Sequence, residues 1–424
     1  MSVPQTHIGL RVIPEVSLSA TVSTPSTTPG LPLMLILPML AAIMAITPLT
    51  IDMYLPAMSI IAASFHSDVT TVQQSLSVYL AGYSIGMLTF GPLADRIGRR
   101  PLVIVGLSGF LLCCIGLALS PSLKLFMVLR FVQAFIGAAA TVVVPGYIKE
   151  LYGDNTAKGM SYVSLIMMLA PLLAPGIGSF ILGFGQWPLI FFILAVYAGL
   201  LLLLVSLKLR LPSDAKGAPH STRSFFGNYA VVLTRAGVKP YLGSGLLCAL
   251  AFFCYLTASP FVYMEVFHLD KSLFAILFSC NVGALALANI INSRVVGRYG
   301  SKRMLAVATL TGTISASALV LVNLLGLEYY WTVITLAPLM GSLGIMSVNS
   351  DAIVLMKFKQ ETGTATAVIG TLRFGIGAMA GPILAFFYTG TAVPFAAIML
   401  VAIMLVGVCQ LFTRPGTLNP QNAS

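Results

Sequence analysis

Twelve apolar stretches, each about the length of a membrane span, follow one another along the 424-residue chain. A helix needs about 20 predominantly apolar residues to cross the hydrocarbon core of a bilayer. Six stretches precede a polar, basic segment in the middle of the chain, and six follow it. They lie at 33–63, 72–93, 101–120, 122–146, 160–183 and 187–208, and then at 241–264, 272–293, 304–326, 329–355, 364–388 and 392–412. This pattern predicts an all-α membrane protein with twelve transmembrane helices.

The segments between and around these stretches define the expected organisation. Residues 1–30 are rich in Ser, Thr and Pro and lack the pattern of a signal peptide, so we expect a disordered cytoplasmic tail. Two six-helix bundles are predicted at 31–208 and 241–413. A cytoplasmic linker at 209–240 joins them, and a short cytoplasmic tail follows at 414–424.

Composition excludes several other classes of protein. The chain is 58% hydrophobic and 8% charged, whereas soluble domains average about 25% charged residues. A transmembrane β-barrel would alternate apolar and polar residues in segments of about ten, and the long uniform stretches do not. The six cysteines lie in apolar stretches without paired spacing, and the four histidines lie in tails or loops, so no metal site is predicted.

The distribution of positive charge predicts the orientation in the membrane. With the N-terminus in the cytoplasm, 19 of the 23 Lys and Arg residues fall on the cytoplasmic side. Two fall outside and two lie within spans. Cytoplasmic loops of membrane proteins carry such an excess, so both termini are expected inside. The net charge of +11 then reflects topology, and no nucleic-acid partner is expected.

An internal repeat links the two groups of six helices. The segment Leu93-Ala-Asp-Arg-Ile-Gly98-Arg-Arg100 is echoed 202 residues later by Val295-Val-Gly-Arg-Tyr-Gly300-Ser-Lys302. Duplicated halves with a substrate site between them are typical of secondary transporters. We therefore expect two six-helix bundles related by a pseudo-repeat.

Several motifs resemble a known family of transporters. Gly91-Pro-Leu-Ala-Asp95-Arg96-Ile-Gly98-Arg99-Arg100 is similar to the signature cytoplasmic loop of the major facilitator superfamily. Other segments resemble the bicyclomycin-resistance (Bcr/CflA) branch of proton-coupled drug exporters, over residues 33–412: Ile51-Asp52-Met53-Tyr54-Leu55-Pro56, Arg130-Phe-Val-Gln133, Ala170-Pro171-Leu-Leu-Ala174-Pro175 and Leu372-Arg373-Phe374-Gly375-Ile-Gly377-Ala378. Two departures are Ala134, where the superfamily usually has Gly, and Gly297, where Asp95 would repeat.

Asp52 is the leading candidate for a proton or substrate site. It lies in the first span, where a charged carboxylate costs at least about 2.5–3.5 kcal/mol. Pro48 and Pro56 flank it at four residues on either side, and Pro56 has no N–H for the carbonyl of Asp52. Desolvation disfavours an ionised carboxylate, so Asp52 could exchange protons. The alternative is an aspartate hydrogen-bonded for packing.

Arg130 and Gln133 in the fourth span are the candidate partners of Asp52. By residue count, Arg130 lies about 12 Å and Asp52 about 15 Å from the outer ends of their spans. The family fold implies that the two helices face one cavity, so Arg130 could respond to the protonation of Asp52. Gln133 lies one helical turn on and would line the same face. Alternatively, Arg130 ties helices together through backbone carbonyls.

The resemblance also implies roles for other positions. The loop residues Gly91, Asp95, Arg96, Gly98, Arg99 and Arg100 would hold the two halves together on the cytoplasmic side, although the arginines could instead attract anionic lipid headgroups. Pro171, Pro175 and Gly176, together with Gly178, would shape the fifth helix. Arg373 is a candidate cavity residue, with Asp351 as a possible partner. The aromatic candidates for a substrate cavity are Tyr54, Tyr83 and Tyr255, with Tyr79 and Tyr263 alongside them.

These observations lead to one functional prediction with two alternatives. We expect export of small-molecule drugs across the bacterial inner membrane in exchange for protons, with no cofactor beyond the proton-motive force. Small-molecule substrates, protons and the lipid bilayer are the expected partners of a monomer. Export of an endogenous metabolite, such as an amino acid or a siderophore-like compound, remains open, as does a non-transporting membrane scaffold. The sequence lacks hydrolase motifs and a P-loop, so neither an enzyme nor a nucleotide-driven pump is expected.

Overall fold

The computed structural model describes residues 33–152, 156–208, 232–235, 237–358 and 362–412. The two predicted tails and most of the predicted linker lie outside these residues. Twelve helices in the described part are long and apolar enough to cross a membrane. This confirms the all-α class and the number of spans that the sequence predicts.

We label the spans α1 to α12, and a broken span keeps one label for its pieces. The first six are α1 (Leu33–Asp52, the 3-10 turn Leu55–Ala57, and Met58–Ser64), α2 (Val69–Ile97), α3 (Arg99–Ala118), α4 (Leu123–Thr141 and Val144–Tyr152), α5 (Thr156–Phe184) and α6 (Pro188–Lys208). The second six are α7 (Lys239–Pro260 and the π-helical turns Phe261–Val266), α8 (Lys271–Tyr299), α9 (Ser301–Leu324), α10 (Tyr329–Leu355), α11 (Thr362–Ala378 and Ala380–Phe386) and α12 (Val393–Leu411).

Helices α2 and α8 run further than their apolar stretches. The sequence places their inner ends at residues 93 and 293, but the helices continue to Ile97 and Tyr299. The added turns carry Arg96 and Arg298, which hydropathy alone excludes from a span although they are compatible with a helix. Glycine ends both helices, because Gly98 and Gly300 have φ values of 90° and 77°.

The helices form two bundles with matching contacts. In the first half α2 packs on α4, α3 packs on α4 and α6, and α1 packs on α5. The second half repeats these contacts as α8 on α10, α9 on α10 and α12, and α7 on α11. Contacts of α2 with α11, and of α5 with α8, join the halves. The junction between the halves is therefore formed mainly by α2, α5, α8 and α11.

The backbone carries a second sign of duplication. Phe65-His66-Ser67-Asp68 precedes α2, and Phe267-His268-Leu269-Asp270 precedes α8, again 202 residues later. Both histidines have positive φ, 50° at His66 and 54° at His268. Positive φ is uncommon in residues other than glycine, so its recurrence at matching positions supports a common origin for the halves.

Charged side chains are distributed unequally between the two ends of the bundle. One end, here called the basic end, carries the described residues Arg96, Arg99, Arg100, Lys149, Arg294, Arg298, Lys302, Arg303 and Lys357. The opposite end carries Asp68, Lys124, Glu265, Asp270, Lys271 and Glu328. The structure therefore places the loop arginines together at one end of the molecule.

Replacement of Gly300 by alanine tests the positive-φ turn between α8 and α9. Gly300 combines φ 77° with ψ 150°, a region that costs side-chain-bearing residues about 1–3 kcal/mol. We expect Gly300→Ala to lower the melting temperature of the purified protein in detergent. Gly297→Ala is the matched control, because a Cβ at Gly297 or at Gly300 meets nothing within 4 Å. Equal melting temperatures for the two variants would show that backbone strain is not the reason for Gly300.

Candidate functional site

The first span breaks at the residue that the sequence singles out. Helix α1 ends at Asp52 and resumes through the 3-10 turn Leu55–Ala57, where Pro56 cannot donate to the carbonyl of Asp52. The side chain of Asp52 is 2% exposed. Its Oδ1 atom is buried and has no hydrogen-bond partner among the described residues. A buried acceptor without a hydrogen bond costs free energy, so packing alone does not account for the break.

Helix α5 packs directly on this break through Gly178. A Cβ atom at Gly178 would overlap the backbone carbonyl of Met53. Gly176, which the sequence analysis placed in the helix-five motif, is exposed and would have nothing within 4 Å of a Cβ. Gly178 is therefore the residue at which α5 closely approaches α1. Pro171 and Pro175 lie within the helix and do not interrupt it.

Arg130 lies in a cage of aromatic rings. Its guanidinium carbon is 4.3 Å from the ring centroid of Tyr54, 4.5 Å from that of Tyr79 and 5.9 Å from that of Phe191. The residue is 0% exposed. Ring faces attract a cation most strongly where water is excluded, so the cage compensates part of the cost of burying this charge.

Polar contacts fix the orientation of the guanidinium. Arg130 Nη1 donates to Gln133 Oε1 at 2.9 Å and, at 3.5 Å, to the backbone carbonyl of Thr50. Gln133 in turn donates through Nε2 to Cys114 Sγ at 3.0 Å. Arg130 Nε and Nη2 have no partner within the described part of the chain. Gln133 therefore orients Arg130, in addition to lying on the same helix face.

Asp52 and Arg130 are close in the fold without forming an ion pair. The guanidinium reaches the carbonyl of Thr50, two residues before Asp52. No ion pair between the described residues joins the two side chains. The sequence placed both at a similar depth and facing one cavity. The structure gives Arg130 an aromatic environment of its own, and within the described part of the chain Asp52 Oδ1 has no hydrogen-bond partner.

The second half contributes a buried polar cluster. Tyr255 is completely buried and stacks on Phe278 at 5.3 Å between ring centroids. Asn281 Nδ2 donates to the hydroxyl of Tyr263 at 3.0 Å. We call these four residues, Tyr255, Tyr263, Phe278 and Asn281, the Tyr255 cluster. Phe278 and Asn281 were not selected from the sequence, although an amide inside the stretch 272–293 is a usable signal.

The other two tyrosine candidates, Tyr54 and Tyr83, make contacts with other residues of the protein. The hydroxyl of Tyr54 lies 3.2 Å from Ser75 Oγ, and its ring is part of the Arg130 cage. The hydroxyl of Tyr83 lies 2.8 Å from Thr141 Oγ1. The ring of Tyr83 contacts Phe374 of the second half, at 4.5 Å between centroids. In this conformation Tyr54 supports the buried charge and Tyr83 joins the halves, so neither is free to stack on a substrate.

Arg373 in α11 has the acidic partner that the sequence analysis considered. Its Nη2 atom lies 2.9 Å and 2.8 Å from the two carboxylate oxygens of Asp351, and it donates to Ser347 Oγ at 2.7 Å. Both charged side chains are 26% exposed. The second half therefore holds a partly solvated ion pair, unlike the unpaired Asp52 of the first half.

Hydrogen bonds between the halves extend from the middle of the bundle towards the end that lies opposite the basic end. Ser84 donates to the carbonyl of Thr371 at 2.8 Å. Nearer that end, Gly381 donates its N–H to Ser77 Oγ and accepts from Gln74 Nε2. Ser279 of α8 donates to the carbonyl of Leu172 in α5 at 2.7 Å. These contacts close the opposite end of the interface between the halves.

The loop arginines make their described contacts within the first half. Arg99 donates to Glu150 Oε2 at 2.7 Å and to the carbonyl of Gly146 at 3.1 Å, so it ties α3 to α4. Arg100 donates to the carbonyl of Ser206 in α6. Arg96 is exposed, Gly91 is partly buried, and the side chain of Asp95 lies outside the described part. The family expectation that this loop holds the halves together is therefore not what Arg99 and Arg100 do here.

Two duplicated six-helix bundles around buried charged groups define a multi-pass membrane carrier. Residues 40–382 match the family model of the Major Facilitator Superfamily. The chain therefore belongs to the major facilitator superfamily, as the sequence motifs indicate.

Two relatives of this chain are named as drug-resistance proteins. A bicyclomycin resistance protein homolog of Haemophilus influenzae is 31% identical over 351 residues, which cover 82% of this chain and 88% of the relative. The multidrug resistance protein MdtM of Escherichia coli is 27% identical over 385 residues, which cover 88% and 90%. These matches confirm the resemblance to the bicyclomycin-resistance branch.

Solved transporter structures share the fold. A nucleoside transporter, NupG, matches with a TM-score of 0.69 at 12% identity, over 88% of this chain and 98% of that chain. The xylose transporter XylE of Escherichia coli, in a partially occluded inward-open conformation, matches with a TM-score of 0.66 at 14% identity, over 89% and 96%. At such low identity these matches support the fold alone.

Two glycines in α5 allow a controlled test of the packing on the α1 break. Gly178→Ala would place a methyl group against the carbonyl of Met53, and overpacking of this kind typically costs about 1–3 kcal/mol. We expect a lower melting temperature and a lower yield of monodisperse protein in detergent. Gly176→Ala, two residues earlier and exposed, should leave both unchanged. A stable Gly178→Ala protein would mean that α5 does not press on Met53.

Proposed function

We propose that this transporter exports small organic drugs across the bacterial inner membrane in exchange for protons. The observation that carries the proposal is the buried, unpaired carboxylate of Asp52 at the break of α1. An ionised carboxylate in this position lacks a neutralising partner, whereas a protonated one is neutral. The occupancy of Asp52 by a proton therefore changes the electrostatic state of the site between the halves.

Arg130 provides a permanent positive charge beside this titratable group. A guanidinium stays protonated at any physiological pH, and the aromatic cage and Gln133 hold it in place. With Asp52 protonated, the two residues carry one net positive charge. With Asp52 ionised, they carry none. A monocationic substrate is accepted more easily in the second state, so proton binding and substrate binding oppose each other, as antiport requires.

The proposed orientation places the basic end in the cytoplasm. An excess of Lys and Arg is typical of cytoplasmic loops, and the described basic residues cluster at that end. The hydrogen bonds of Ser77, Ser84 and Gln74 with α11 then close the periplasmic side. In this state Asp52 would release its proton to the cytoplasm and substrate would enter from there. Rocking of the halves would expose Asp52 to periplasmic protons, which displace the substrate.

The names of the relatives favour drugs over endogenous metabolites as substrates. A bicyclomycin resistance homolog and a multidrug resistance protein match most of the chain. No cofactor is needed in this scheme, because the proton-motive force drives the cycle. One chain holds both halves, so we propose that it functions as a monomer.

Replacement of Asp52 by asparagine tests proton coupling directly. In proteoliposomes under an imposed pH gradient, drug addition to the parent protein should trigger proton flux for at least one compound in a panel of antibiotics and metabolites. Asp52→Asn cannot ionise, so we expect the coupled flux to disappear. Glu328→Gln, which removes an exposed carboxylate at the opposite end, is the control and should retain it. Coupled flux that persists in Asp52→Asn would refute the role of Asp52.

Replacement of Arg130 by lysine tests whether the shape of the guanidinium matters in addition to its charge. Lysine keeps the charge but loses the planar group that lies over Tyr54 and Tyr79 and bonds to Gln133. A hydrogen bond to a charged group contributes about 1.5–3 kcal/mol, so we expect the rate of drug efflux to fall about ten-fold or more. Arg96→Lys, at an exposed arginine, is the control. Equal efflux by Arg130→Lys and the parent would show that charge alone suffices.

A further inference from the structure

The ion pair of the second half is held by one nitrogen of its arginine. Arg373 Nη2 lies 2.9 Å and 2.8 Å from the two carboxylate oxygens of Asp351 and donates to Ser347 Oγ at 2.7 Å. Arg373 Nε is buried and has no hydrogen-bond partner among the described residues. A guanidinium offers five N–H donors in a fork that fits a carboxylate through two parallel bonds. The pair with Asp351 leaves part of this capacity unused.

Arg373 lies on the face of α11 that points towards the first half and α7. A Cβ atom at Gly370, three residues earlier, would lie 3.1 Å from a side chain of α2, and one at Gly377, four residues later, would overlap the ring of Phe253 in α7. Residues three and four apart share one face of a helix. The side chains of Arg373 and Asp351 are each 26% exposed. Because this face is turned inward, we assign their exposure to the space between the halves.

A glycine in α7 leaves room beside the pair. A Cβ atom at Gly245 would lie 3.5 Å from Asp351 Oδ1, 3.6 Å from Ser350 Cβ and 3.8 Å from Arg373 Nη2. These are ordinary van der Waals distances, so a group the size of a methyl fits there without a clash. The hydroxyl of Ser350 is also buried without a partner within the described part of the chain. Unused donors of Ser350 and Arg373 therefore lie close to one small space.

The charges around this space favour a ligand group that carries both signs. An anion alone would stand beside the carboxylate of Asp351, and a cation alone would stand beside the guanidinium of Arg373. Leaving one partner of a largely buried ion pair without the other is unfavourable. An ammonium group next to a carboxylate, as in an α-amino acid, gives each protein charge a new partner. Arg373 would then hold the carboxylate in its fork, and Asp351 would accept from the ammonium group.

We propose that Arg373 and Asp351, with Gly245 beside them, bind a zwitterionic head group of the transported compound. This inference rests on the proposed function and narrows its substrates to drugs with an amino-acid-like end. The head group is neutral overall, so the positive charge that opposes the proton on Asp52 belongs to the rest of the substrate. Ser347 keeps its hydrogen bond to Arg373 and orients the guanidinium towards the incoming carboxylate.

Four forms of one small compound separate the charges of the head group. They are phenylalanine, its methyl ester, N-acetylphenylalanine and the methyl ester of N-acetylphenylalanine, which are zwitterionic, cationic, anionic and neutral. Binding to the purified full-length protein in detergent is measured by competition against radiolabelled phenylalanine, at mildly acidic pH where the free amines are protonated. Phenylalanine should bind about ten-fold or more tightly than each of the others, because each of them lacks a charge-assisted contact. Equal competition by the methyl ester, or no binding of phenylalanine, would overturn the proposal.

A substitution at Gly245 tests the space beside the pair. Gly245→Ala keeps both charges and adds a methyl group where only ordinary contacts await it, so the fold should be preserved while the head group is displaced. We expect the binding of phenylalanine to fall to the level of its methyl ester. Gly243→Ala, two residues earlier and beside Cys409 of α12, is the matched control and should bind phenylalanine as the parent does. Parent-like binding by Gly245→Ala would contradict the assignment.

A double substitution tests the charged pair itself. Arg373→Gln combined with Asp351→Asn keeps polar side chains at both positions and leaves neither charge alone, and it should abolish the preference for phenylalanine over its methyl ester. Arg99→Gln combined with Glu150→Gln neutralises the ion pair between α3 and α4 and should retain that preference. If the preference survives in the first double variant, the head group binds elsewhere and the proposal is wrong.

Binding of phenylalanine and proton coupling are tested separately. Asp52→Asn should bind phenylalanine as the parent does, because the head group is held in the second half. If phenylalanine binds as expected but no drug triggers proton flux in the parent, the proposed exchange for protons fails and the head-group site stands. If drugs trigger proton flux but phenylalanine is not preferred over its methyl ester, the head-group site fails and the role of Asp52 stands.

Discussion

The cost of an unsatisfied polar group in hydrocarbon determines the organisation of this protein. Each backbone N–H and C=O group within the bilayer must be paired inside the protein, which restricts spanning segments here to helices. Non-helical backbone is then tolerated where protein or a cavity surrounds it. The break of α1 at Asp52 meets this condition, because Gly178 of α5 covers Met53 and α8 contacts the 3-10 turn. The candidate site thus lies at the point where the first span is not helical.

The duplicated fold places the break of α1 against the other half of the molecule. The helices of the first half repeat their contacts in the second, and the turns at Gly98 and Gly300 have the same unusual backbone. The halves meet through α2 with α11 and α5 with α8, and the 3-10 turn of α1 also contacts α8. Asp52, at the break of α1, therefore lies beside the second half.

The sequence predicted the fold better than the site. Uniform apolar stretches and the charge asymmetry were enough to predict twelve spans, because hydropathy reports directly on transfer into lipid. The ends of α2 and α8 were missed, since glycine with positive φ ends those helices several residues beyond the last apolar position. Asp52 and Arg130 were found because charges within a span are rare.

The surroundings of these charges could not be derived from the sequence, because they depend on side-chain directions between distant helices. Phe191 completes the cage of Arg130, and Asn281 bonds to Tyr263, yet the sequence does not show which residues of other helices they contact. The close approach on α1 comes from Gly178, although Gly176 and Gly178 are equally small. Their different roles follow from the 200° rotation between helical positions two residues apart.

The two halves treat their buried charges differently, and this asymmetry has a functional meaning. In the second half Arg373 is paired with Asp351, so the ionised form of that carboxylate has a cationic partner. In the first half aromatic rings and an amide hold Arg130, and no ion pair between described residues involves Asp52. A carboxylate can serve as a reversible proton carrier when its ionised form is neither fully stabilised nor forbidden. In the proposed mechanism, aromatic caging of the neighbouring arginine serves this balance, because it keeps a positive charge near Asp52 without an ion pair between the two side chains.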